Sequence, residues 1–147
     1  MTTEIFIRGA TKNPAVQKQA NAKWSIVCVL NNGAVEKRDG IVCLNNATTK
    51  RAVLTALRDA LMRFSKAAVI RIYVSDDYVR NALIQGWPKR WKANNWHRIR
   101  LNGEIKHLDL WQQISEQLSK HAVSIAGAEE LENKNLKYMD WRMKNGR

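Results

Sequence analysis

Residues 74–111, VSDDYVRNALIQGWPKRWKANNWHRIRLNGEIKHLDLW, set four tryptophans (Trp87, Trp91, Trp96 and Trp111) in a background of lysine and arginine. Ser75, Asp76 and Asp77 are residue types that accept from the free N–H groups of a helix start, so they predict a short helix through Leu83 that Gly86 ends. A second helical turn is predicted from Pro88. Between Gly86 and His107 the cations Lys89, Arg90, Lys92, Arg98, Arg100 and Lys106 face one acid, Glu104. Trp87 and Trp91 stand four apart, on one side of a helix, and predict a staple with Trp111 that joins this arm to the next helix. Trp96 is expected near the tip, as the ring placed to touch a ligand.

The charge of the whole chain points the same way. Lys and Arg total 25 against 13 acids, a net charge of +12 with a pI near 10.1. Such a chain favours a polyanion, because each phosphate it neutralises releases counterions. No stretch pairs a basic face with a strongly apolar one, which argues against a membrane surface. No apolar run reaches the ~20 residues needed to cross a bilayer. The opening MTTEIFIRGATK has no charged segment followed by an apolar one, so no secretory signal is read and a cytoplasmic location is expected.

Upstream of the arm, residues 3–8 alternate as a strand, residues 9–23 read as a loop, and residues 24–30 form a second strand. Asn31-Asn32-Gly33 predicts a hairpin into a third strand over about 34–44. Thr48 and Thr49 predict a helix cap, followed by an apolar stripe of Val53, Leu57, Ala60, Leu61 and Phe64. The β-branched run 68–74 predicts a central strand. An amphipathic helix over 108–120, a short strand at HAVSIAG and a terminal helix over 130–143 complete a single domain, residues 1–147. The fold class is α/β, a five-stranded mixed sheet with three antiparallel strands, then two parallel, and helices on both faces. Cys28 and Cys43 are expected as buried free thiols, out of register across the hairpin and unable to bridge.

This order, with Tyr78-Val79-Arg80, the spacing of Trp87, Trp91 and Trp96, and Asp109-Leu110-Trp111, resembles the type 1 ribonuclease H family of bacteria. IFIRGA resembles that family's first strand and Asn13-Pro14 the turn after it. Thr48 to Leu61 resembles its first helix, with Leu54, Ala56, Ala60 and Leu61 in place. Gly127 and Glu132-Asn133 resemble its last loop and helix. The resemblance implies a ribonuclease H-like fold, in an enzyme class that cuts the RNA strand of an RNA–DNA hybrid with two Mg²⁺ ions held by four carboxylates.

At least three of those four positions carry other residues here. The resemblance places the first carboxylate on Arg8, the second on Val53 and the fourth on Lys137. The third falls on Ser75 without a gap, or on Asp76 with a one-residue gap. The family's loop histidine falls on Ala128. No acid lies between Glu4 and Glu36 or between Asp39 and Asp59, so a slipped alignment supplies none. Asp140 sits one helical turn from Lys137. Asp76 is therefore the remnant catalytic candidate, and helix capping is its other reading. No metal site and no cofactor are expected; Mg²⁺ or Mn²⁺ enters only if the chain is active.

The expected ligand contacts are Asn13, Thr48, Thr49, Lys89, Arg90, Lys92, Trp96, Arg98, Arg100 and Lys106, widened by Lys12, Lys18, Lys23, Lys50 and Arg51. The family carries asparagine where this chain has Thr49. The expected function is a catalytically silent ribonuclease H-like domain, a pseudoenzyme, that binds RNA–DNA hybrid or duplex RNA through the basic protrusion. The alternatives are a divergent active nuclease and a scaffold for protein partners in a larger complex.

Overall fold

A computed structural model describes residues 2–96 and 105–134. Five strands, β1 (Thr2–Gly9), β2 (Val16–Val29), β3 (Val35–Thr48), β4 (Val69–Val74) and β5 (Ala122–Ile125), form one sheet in the order β3-β2-β1-β4-β5. The β1–β2 and β2–β3 pairs are antiparallel, and the β1–β4 and β4–β5 pairs are parallel. The helices are α1 (Thr49–Leu61), α2 (Asp77–Ile84), α3 (Trp87–Ala93), α4 (Leu108–Leu118) and α5 (Ala128–Lys134). This is the ribonuclease H-like architecture that the sequence predicts. No described helix is long and apolar enough to cross a membrane.

Strand alternation sends Ile5, Ile7, Ala20, Ala22, Trp24, Ile26, Ile70, Ile72 and Val74 to one face, where α1, α2 and α4 bury them. The opposite face carries Phe6, Val27, Tyr73 and Ala126, against which Leu131 of α5 packs. There the Tyr73 hydroxyl donates within a cluster of Glu4 and Glu130 carboxylates, and Glu130 also accepts from Arg71. Burial, reinforced by the hydrogen bonds to Glu4 and Glu130, pushes the Tyr73 phenol well above its usual range.

The hairpin is longer than expected. β2 starts at Val16, inside the stretch read as a loop, and β3 continues to Thr48. Its turn is where Asn32-Gly33 predicts it, closed by the Leu30 N–H donating to the Ala34 carbonyl at 2.8 Å. Trp24 pairs with Gly40 across the strands and lays its ring on that glycine. A Cβ at Gly40 would stand 2.2–2.4 Å from the indole, so only glycine accommodates the ring. The register sets Cys28 opposite Glu36 and Cys43 opposite Asn21, and both thiols are free. Cys43 is exposed and Cys28 half-buried, against expectation: Val42 faces the core, so Cys43 must face away.

Candidate nucleic-acid interface

The carboxyl ends of β1 and β4 lie side by side, with Ile7 in register with Val74. The Ser75 N–H donates to the Ile7 carbonyl at 3.0 Å, and the Gly9 N–H donates to Ser75 Oγ at 3.2 Å. Gly9 is thus the meeting point of three elements. A Cβ there would stand 2.6 Å from Thr49 Cγ2 and 3.0 Å from Val53 Cγ2, so α1 presses on the end of β1 through these two side chains. Of the two alternatives for the third position, Ser75 is the residue beside the end of β1.

Arg8 precedes Gly9 and is half-buried. By strand alternation it shares the sheet face of Phe6, and its cross-strand partner is Lys23, also half-buried. Val53 is 1% exposed and belongs to the core stripe of α1. Thr49 is 4% exposed, and its hydroxyl has no hydrogen-bond partner among the described residues. Thr48 is the α1 cap, its hydroxyl accepting from the Arg51 N–H at 3.2 Å.

Asp76 caps α2, one carboxylate oxygen accepting from the Val79 N–H at 2.9 Å. Asp77 pairs with the buried Arg80, which holds its carboxyl below the usual range, and Lys12 lies close enough to act in the same direction. Arg80 also donates to the Val74 carbonyl at 3.1 Å, tying α2 to the end of β4. Asn13 sits in an exposed turn, accepting from the Ala15 N–H at 2.9 Å. Among the described residues, no group of three or more His, Cys, Asp or Glu side chains could hold a metal ion.

An aromatic ladder connects this corner to the arm. Lys50 lies over the Tyr78 ring, 4.4 Å from its centre. Tyr78 meets Trp87 edge-on at 5.6 Å, Trp87 lies 6.1 Å from Trp91, and Trp91 meets Trp111 at 5.6 Å. Trp111 is fully buried and the other two tryptophans are half-buried against the core, which is the staple that the i, i+4 spacing predicts. The rings turn inward, and Lys89, Arg90 and Lys92 are exposed on α3. Arg90 also donates to the Gln85 carbonyl at 2.9 Å. Trp96 has φ 62°, donates its N–H to the Trp91 carbonyl at 2.6 Å and is half-buried against the core. Lys106 is exposed. Arg98, Arg100, Lys137 and Asp140 lie outside the described residues.

One tether was not foreseen. Arg51 donates to both carboxylate oxygens of Asp109, at 2.7 and 3.3 Å, and shares a 3.2 Å contact with His107 Nδ1. It fastens the start of α1 to the start of α4 at the foot of the arm. The Arg51 hydrogen bond holds the Asp109 carboxyl below its usual range; burial, and next Arg51, push His107 down. The partners are 56 and 58 residues apart, and the sequence offers no local signal for them.

A family profile described as RNase H matches residues 3–128. A ribonuclease H of Chlorobium phaeobacteroides is 34% identical over 77 residues, covering 52% of this chain and 52% of the relative. The chain thus aligns with about half the length of the curated relatives it matches. Among solved structures, a type 1 RNase H with the type 2 active-site motif superposes with a TM-score of 0.67 at 19% identity, over 92% of this chain and 70% of that one. Foamy viral protease-reverse transcriptase in complex with RNA/DNA hybrid gives 0.63 at 18% identity, over 92% of this chain and 19% of that one. At these identities the structural matches establish the fold.

Proposed function

We propose that this chain, which belongs to the ribonuclease H family, binds RNA–DNA hybrid or duplex RNA without cutting it, gripping the backbone with the cations of the α3 arm. The observation that carries the reading is the set of side chains around Gly9. The family's two Mg²⁺ ions need oxygen donors, mostly carboxylates. The corner offers a guanidinium at Arg8, an isopropyl group at Val53 and a hydroxyl at Ser75. A cation beside the site replaces ligand attraction with repulsion. This donor set does not fit a divalent ion. Asp76, the remnant candidate, turns one oxygen to the α2 backbone.

The binding half rests on charge and placement. A net charge of +12 gives long-range attraction to a polyanion. Lys89, Arg90 and Lys92 leave α3 on its exposed side, with the tryptophans beneath holding the helix rigid. Related folds include a reverse transcriptase whose structure contains RNA/DNA hybrid, which is consistent with that ligand.

Gel retardation of labelled RNA–DNA hybrid, duplex RNA and duplex DNA, each with EDTA and with Mn²⁺, tests the reading. Retardation of hybrid or duplex RNA that is equal in EDTA and in Mn²⁺ is expected. No retardation of any duplex at physiological salt would favour the protein scaffold instead. Retardation that requires Mn²⁺ would favour a divergent nuclease.

A further inference from the structure

Arg51 is a cation of the kind expected to touch a phosphate, yet its guanidinium is turned to the protein. Two of its N–H groups go to the carboxylate oxygens of Asp109, at 2.7 and 3.3 Å, and a third goes to His107 Nδ1 at 3.2 Å. A guanidinium only donates, so Nδ1 accepts, and the His107 ring in this contact is neutral with its proton on Nε2. The ion pair adds little to folding stability, because its side chains are 37% and 58% exposed and wetted pairs are weak. What a two-pronged contact supplies instead is direction. The contact joins the start of α1 to the point where the chain leaves the arm and enters α4, with His107 held in the left-handed region at φ 58°. Trp91 on Trp111 ties α3 to α4. Arg51 then ties α4 to the body of the domain.

We propose that Arg51, clamped by Asp109 and neutral His107, is a positioning residue that sets the angle at which the cations of α3 meet a bound nucleic-acid duplex, a role that rests on the nucleic-acid binding proposed above and deepens it. Lys12 and Lys18 are exposed on the body, and Lys89 and Lys92 on the arm. Two such groups share one duplex only when their spacing and direction match it, and joint binding is lost when the geometry fails. Acid opens the clamp. A proton on Nδ1 removes the acceptor and sets a second cation against Arg51. Burial opposes that proton, as do Arg51 and Lys50 of α1 and the neighbouring Lys106, while Asp109 favours it. The arm is therefore held at neutral pH and released in mild acid.

Fluorescence anisotropy of a labelled RNA–DNA hybrid, in EDTA, tests the clamp through the sign of two effects. Asp109→Asn removes an acid, so charge alone would tighten binding to a polyanion. The clamp predicts the reverse, a loss of roughly tenfold, a small part of what joint binding can add. Arg51→Met should lose a similar factor and Arg51→Lys less, and Asp109→Asn should cost little more once Arg51→Met is present. In a protein whose Lys89, Arg90 and Lys92 are alanine, Asp109→Asn should change nothing, since no cation is left to aim. The wild-type pH profile needs no clamp variant. Protonating a histidine would tighten binding by charge alone, whereas the clamp predicts weaker binding at pH 5.5 than at 7.5 and a flatter profile in His107→Asn. Circular dichroism checks each fold. Unchanged or tighter binding by Asp109→Asn, or the same loss without the arm cations, would overturn the clamp and leave arm binding intact. Tighter wild-type binding in acid would overturn it as well. Failure of the wild type to bind hybrid at all would overturn both.

Discussion

Replacing Lys89, Arg90 and Lys92 together with alanine should flatten the salt dependence of hybrid binding. All three are exposed on α3, and none lies in the buried staple of Trp87, Trp91 and Trp111. If each neutralises one phosphate, the slope of log K against log salt should fall by about 0.9 per contact, or ~2.7 in total. Between 50 and 200 mM salt the wild type should then lose ~40-fold more affinity than the variant. Arg90 also holds the Gln85 carbonyl, so its share is the smallest of the three and a fall nearer ~2 remains within the account. The assay is fluorescence anisotropy of a labelled hybrid at four salt concentrations, with circular dichroism as the check on folding. An unchanged slope in a folded variant would refute α3 as the gripping element.

Gly40→Ala should drive Trp24 off its seat; overpacking of this kind costs about 1–3 kcal/mol, and a calorimetric melt should fall by roughly 3–10 °C. Asp76→Ala removes the α2 cap and should destabilise by about 1 kcal/mol in urea unfolding, with Asp76→Ser recovering most of it. Acid should weaken the foot of the arm. Burial, and next Arg51, hold His107 below the ordinary 6.5 when folded, so the unfolded chain binds the proton first, and stability present above about pH 6.5 is lost as pH falls below it. His107→Asn, which tolerates the φ of 58° at that position, should shrink the difference between melts at pH 7.5 and 5.5.

Much of the fold is legible in the sequence because its signals are local. Asn32-Gly33 marks the hairpin, Thr48 the α1 cap, and the tryptophan spacing the staple. The first half of β2 is not legible for a physical reason. Its buried residues there, Ala20 and Ala22, are small and poor strand formers, while Gln17, Lys18, Gln19 and Asn21 between and before them are polar. The strand exists because it pairs along the whole of β3. The choice between Ser75 and Asp76 needs the β1–β4 register, which depends on pairing between strands some 65 residues apart. The same limit hides the Arg8–Lys23 pair: both cations are visible in the sequence, but only the antiparallel register sets one against the other. Arg51, noted for its charge alone, proves to be a tether between two helices.

The most direct test of a binding domain without a working metal centre is a single-turnover assay. Protein in excess over end-labelled RNA–DNA hybrid, with Mn²⁺ present, leaves every hybrid bound. A binding domain without a working metal centre leaves the RNA strand intact over hours while the complex persists. RNA fragments that accumulate with Mn²⁺ and vanish in Asp76→Asn would contradict it.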